Sequence, residues 1–155
     1  MVIFDLPAAR TDLRKQLWRR LREEHFGYLQ QSVWISPDPA VAIRETLEGV
    51  KVQADSFLVI EGRPAAGESD GEVVAAAWDF PLINEHYEQH LRTLHRLPGR
   101  GLKLVEWARQ ENALWRAALR IDPLLPSTLL PRGYLGGEAL HRRKSVFAEL
   151  CQQHT

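Results

Sequence analysis

One cysteine, Cys151, stands in the 155 residues, so an internal disulfide is excluded and a reducing compartment fits. An excess of charge of one sign is also missing. Lys and Arg number 20 and so do Asp and Glu, and a net charge of zero leaves no global field to draw the chain onto nucleic acid or an anionic membrane. Such binding would have to come from a local patch. No apolar run approaches the roughly 18–20 residues that span a bilayer. The N-terminus has neither the basic region nor the cleavage site of a secretion signal. A cytoplasmic chain without membrane contact is the expectation. No Ser-His-Asp order, nucleophile elbow or internal repeat is present. What is there is ordinary for a folded protein: 45% apolar and 26% charged residues, enough chain for one domain or two small ones.

The most structured stretch is FGYLQQSVWISP, Phe26 to Pro37, which reads as two short strands reversing near Gln30-Gln31. Val33 and Ile35 alternate with Trp34 and Ser36, sending neighbours to opposite sheet faces. Pro37 and Pro39 stop the second strand, because proline cannot donate to a ladder. Ahead lie an apolar strand, Met1–Leu6, and a helix over Ala8–His25 with Leu13, Leu17 and Leu21 on one stripe beside Trp18. Gly27 is expected to end that helix. Behind the hairpin, Asp38 and Pro39 open a second helix with Val41, Ile43 and Leu47 inward and Gly49 at its end. Ser56–Ile60 is a fourth strand. The order β-α-β-β-α-β is the split βαβ or ferredoxin-like unit.

Arg63 to Gly71, RPAAGESDG, reads as a loop and a domain boundary; Glu72–Ala77 fits either a strand or the lead into a helix. A helix over Leu82–Leu97 follows, with Ile83, Tyr87, Leu91 and Leu94 on one side. Another covers Leu102–Arg120, with Val105, Ala108, Trp115 and Leu119 on one stripe and Leu104, Leu114 and Ala118 on a second. The proline- and glycine-rich stretch Asp122–Gly137 forms an arm, and Glu138–Gln152 a last helix with Leu140, Val146, Phe147 and Leu150 inward. The fold class is therefore α+β: a ferredoxin-like βαββαβ dimerisation domain over 1–62, extending to 77 on the wider reading, then a helical effector or interaction domain over 78–155.

Three stretches together resemble the PaaX-type repressors of the phenylacetate operon. They are VIFDLP with the arginine-rich helix behind it, FGYLQQSVWISP, and the more specific WRAALRIDPLLPSTLLPRGYLGGEAL from Trp115 to Leu140. Trp78-Asp79 followed by Tyr87 fits the same pattern, and the likeness covers essentially the whole chain. Tyr134-Leu135 stands where the family usually has Trp-Pro. The resemblance implies a bacterial transcriptional repressor of aromatic catabolism, relieved by an acyl-CoA thioester. Its plan is a winged-helix DNA reader, a central ferredoxin-like domain and a helical C-terminal domain. Met1 falls at the first strand of the central domain, so DNA is expected to be reached only indirectly, through a full-length relative of the chain. A homodimer is expected through the sheet edge. The central unit also resembles the small CRISPR-associated adaptation nuclease, with Asp5 after the first strand and Gln30, Ser32, Val33 and Trp34 in the hairpin.

These likenesses set the candidate residues. Trp115, Arg116 and Asp122 sit at the family-specific junction and are the expected effector side. Gly99-Arg100-Gly101 before a helix, with Lys103 after it, adds two cations for a phosphate or the pyrophosphate of coenzyme A, against the plainer reading of a turn. Asp5 is the alternative, catalytic reading. Two copies across a dimer axis could hold one divalent cation, whereas a strand-end carboxylate bonded to Arg10 or Arg14 is the structural reading. His86 and His90 lack the glutamate of a zinc hydrolase, since Tyr87 occupies its place, and read as a surface pair. Arg14, Lys15, Arg19, Arg20 and Arg22 read as a solvated helix face diluted by Glu23 and Glu24. Cys151 has no His or base spaced to activate it. No enzyme activity and no cofactor are expected on the leading reading.

Overall fold

The structure is a computed structural model that describes residues 1–5, 11–39, 41–42, 56–67, 69–96 and 102–152. The chain divides into two compact units, Met1–Asp79 with Pro123–Leu130, and Phe80–Asp122 with Pro131–Thr155.

In the first unit, strand β1 (Val2–Asp5), helix α1 (Thr11–Glu23), the hairpin β2 (Gly27–Gln30) and β3 (Val33–Ile35), and strand β4 (Ser56–Val59) build one sheet. Its order is β2-β3-β1-β4, and every neighbouring pair is antiparallel. β1 and β2 therefore run the same way with β3 between them, which is the split βαβ arrangement. The α+β expectation holds. Val41 and Ala42 are helical, but Val41 is 68% exposed rather than inward. Ile43, Leu47 and Gly49, expected in the same helix, lie outside the described residues.

Alternation decides what the sheet buries. Val2 and Phe4 on β1 and Trp34 on β3 share one face with Leu17 and Leu21 of α1 and with Phe26. Each large apolar side chain buried this way contributes about 1.5–3 kcal/mol. Trp18 and Tyr28 border this cluster, with ring centroids 6.0 and 5.2 Å from Trp34. Helix α1 ends at Glu23, and the turn that closes it has its left-handed residue at His25, not at Gly27. His25 takes φ 60°, and its N–H donates to the Arg22 carbonyl while the Phe26 N–H donates to Leu21 at 2.9 Å. That is a Schellman closure, with Phe26 and Leu21 supplying the accompanying apolar contact. Gly27 is needed for a different reason: a Cβ there would stand 2.7 Å from Ala77 Cβ and from the Trp78 ring.

Those two residues end helix α2 (Asp70–Ala77), which begins inside the stretch expected as loop. Ser69 caps it. The Glu72 N–H donates to Ser69 Oγ, and the Glu72 carboxylate accepts from the Ser69 N–H at 2.9 Å, closing a capping box. The Trp78 indole N–H donates to the His25 carbonyl at 3.2 Å, tying the end of α2 to the end of α1. A 3-10 turn at Ser127–Leu129 packs on α2 in the same unit.

Among its described residues the second unit is three helices: α3 (Phe80–His95), α4 (Leu102–Ile121) and α5 (Gly136–Gln152). α3 packs against both others and buries Ile83, Tyr87, Leu91 and Leu94, as its period predicts, and also His90. Val105 and Leu140, expected inward, are 46% and 41% exposed. On α4 the buried positions are Trp107, Glu111 and Ala118, so the inner stripe passes through a carboxylate and an apolar count misplaces it. No described helix is long and apolar enough to cross a membrane.

Candidate functional site

The second unit buries polar groups at its centre. Glu111 of α4 and His90 of α3 are both fully buried, with His90 Nε2 and Glu111 Oε1 2.8 Å apart. Arg143 of α5 donates through Nε to the same oxygen at 2.6 Å and through Nη2 to Oε2 at 3.3 Å. A fork of this kind matches the carboxylate plane and leaves the charge answered where water cannot reach it. The Arg143 guanidinium also lies 5.2 Å from the Trp115 ring centre and 4.9 Å from Phe147, so aromatic faces complete its surroundings. His90 Nδ1 is buried without a partner among the described residues.

About three helical turns further along, just past the end of α4, Asp122 is fully buried and accepts from two phenols. Tyr87 donates to Asp122 Oδ2, and Tyr134 donates to the same oxygen at 2.5 Å. Burial, and then the neighbouring Asp122 carboxylate, push both phenols well above the ordinary tyrosine range, so both stay protonated as donors. Tyr134 is held in place from two sides. Its ring stands over Gly136, where no Cβ could fit, and it meets Phe80 edge-on at 6.2 Å. Asn84 secures the same turn, donating to the Gly133 carbonyl at 2.9 Å and accepting from the Leu135 N–H at 3.0 Å.

Trp115 joins the two clusters, with its ring 6.0 Å from Tyr87 and 5.1 Å from His90. Of the residues expected on the effector side, Trp115 and Asp122 are thus brought together through Tyr87. Arg116 and Lys103 are exposed on α4, and Arg100 lies outside the described residues. On the surface between α3 and α4 a cleft of about 360 Å³ is lined by Arg92, Arg96, Gln89, Gln110 and Trp107. The Trp107 N–H is already donated to the Thr93 carbonyl at 3.1 Å, so the cleft's donors are the guanidiniums and amides.

His90 is not half of a surface pair. It follows Tyr87 at i+3 on the inward stripe, and that spacing was the available signal for it. Glu111 and Arg143 carried no comparable signal. Asp5 is exposed at the end of β1, opposite Ser56 in the ladder. Among the described residues no group of three or more His, Cys, Asp or Glu side chains could hold a metal ion. Arg10 lies outside the described residues, and Cys151 is exposed.

Residues 1–74 match the PaaX protein central Cas2-like domain. Among solved structures, the uncharacterized protein Rv0674 from Mycobacterium tuberculosis shares the fold, with a TM-score of 0.68 at 17% identity. The match covers 97% of this chain and 59% of that one. No curated protein matches the chain.

Proposed function

We propose that this PaaX-type chain, whose residues 1–74 match the family's central Cas2-like domain, is the dimerisation and effector-sensing portion of a transcriptional repressor. The match over those residues is the observation that carries the reading. In it the chain is not an enzyme. Its ligand is an aromatic acyl-CoA, as in regulators of phenylacetic acid catabolism.

Two features support the parts of this reading. β4 is an edge strand whose Phe57 and Leu58, with Ile60 beyond them, are 38%, 56% and 39% exposed. An apolar edge is left unblunted where another chain is to cover it. In the helical unit, the cleft with Arg92 and Arg96 offers two guanidiniums to phosphate oxygens, beside the indole of Trp107. Arg116 and Lys103 are further cations exposed on α4, outside the lining of that cleft. A ligand held there regulates by binding one arrangement of the pair more tightly than the other.

The test is calorimetric titration with phenylacetyl-CoA, with light scattering before and after. A dimer that binds the thioester, and loses binding in the Arg92→Glu, Arg96→Glu double variant, is expected. A monomer indifferent to the thioester overturns the proposal. The rival reading is a metal-dependent nuclease working through Asp5, in line with the Cas2-like character of the matched domain.

A further inference from the structure

The first unit holds a second cavity, of about 410 Å³, within the range of small-molecule sites. All its lining residues belong to that unit. Leu29 and Ile35 come from the hairpin, Val74 and Trp78 from α2 and its end, and Leu125 and Leu129 from the segment around the 3-10 turn. The uncharged side chains of the lining offer a ligand no free donor, because the Trp78 indole is spent on the His25 carbonyl at 3.2 Å and the Ser36 hydroxyl on the Asp38 carboxylate at 2.8 Å. A body lodged there has to be hydrocarbon, since any polar group would lose water without replacement.

The Met1 ammonium on the same lining donates to the Ile60 carbonyl at 2.8 Å, and two side-chain charges of opposite sign border the cavity, Arg63 and Asp70. Neither enters an ion pair among the described residues, so they are not spent on each other. A carboxylate alone would answer Arg63 and face Asp70 as a like charge. An ammonium alone would do the reverse. A head group carrying both answers both, and with a hydrocarbon body it defines one chemical class.

We propose that this cavity binds a free amino acid with an apolar side chain: its carboxylate meets Arg63, its ammonium meets Asp70, and its side chain lies among Leu29, Ile35, Val74, Trp78, Leu125 and Leu129. This does not rest on the acyl-thioester reading, which uses the helical unit, and either can fail alone.

The experiment is calorimetric titration of the whole chain with leucine and with its two truncated analogues, isocaproate, which lacks the ammonium, and isoamylamine, which lacks the carboxylate. Leucine should bind at least about tenfold tighter than either, the loss that follows from one unanswered charged hydrogen bond. Arg63→Gln should bring leucine down to the level of isoamylamine, and Asp70→Asn down to that of isocaproate. Both positions are exposed, so these variants keep the fold. Val73→Phe, which fills the cavity, should abolish binding while the circular dichroism spectrum stays unchanged. An analogue that binds as well as leucine overturns the assignment. So does leucine binding that survives Val73→Phe, or the absence of any heat with leucine and phenylalanine alike.

Discussion

Arg143 holds both oxygens of Glu111, and Glu111 is a fully buried carboxylate that also meets His90. Three helices contribute one residue each to this contact, so it ties the helical unit together at a point where apolar packing is interrupted. Charge buried this way is tolerated only while its partners stay in place.

Removing one partner should therefore be costly. Arg143→Ala leaves Glu111 without its fork and takes the guanidinium off Trp115 and Phe147, and a loss of about 3 kcal/mol or more is expected. Arg143→Ala combined with Glu111→Leu should recover part of it, because the orphaned charge is gone as well. Urea unfolding of the two variants checks this; equal stability of both would show that the carboxylate was not the source of the penalty.

The Tyr87 and Tyr134 phenols predict an alkaline limit. Their folded pKa values lie above the ordinary 10.0, so the unfolded chain loses these protons first. The stability they confer is complete below about pH 10 and drains away as pH rises above it toward the folded values. Thermal melts of the wild type should fall in that window, and Tyr87→Phe with Tyr134→Phe should flatten the fall. At neutral pH each Phe variant should cost about 1–3 kcal/mol through the donor that Asp122 loses.

Gly27→Ala places a methyl group 2.7 Å from Ala77 Cβ and the Trp78 ring. Neither neighbour is the loose end of a long side chain, so the strand or α2 has to shift, at a cost of about 1–3 kcal/mol. Chemical denaturation should show it, and Gly62→Ala, with nothing near its added carbon, serves as the control.

Asp5→Ala should leave DNA untouched. In manganese the wild type and the variant are expected to show the same background cleavage of duplex and single-stranded substrates. Cleavage by the wild type alone would make the nuclease reading the correct one.

Much of the first unit was legible from local pattern. VIFD and SVWISP carry the strand alternation, and Leu17 and Leu21 the helical stripe that meets them. The capping box at Ser69 and Glu72 was present in the sequence too, but it stands among prolines and glycines whose composition reads as loop. Val105 and Leu140 went the other way: both are apolar at a fitting period, and both face solvent. Expected site residues fared unevenly for a related reason. Trp115 and Asp122 meet through Tyr87, while Arg116 on the same helix turns outward.

Sequence alone settled the α+β class, the hairpin and the four longer helices, because those follow from periods of two and of 3.6 residues repeated over short spans. It could not announce that Glu111, His90 and Arg143 share one buried point, or that Leu125 and Leu129 line a cavity with Leu29 and Ile35. Such meetings join residues far apart in the chain. A polar side chain shows no preference for the interior until the partner that answers its charge has been brought beside it.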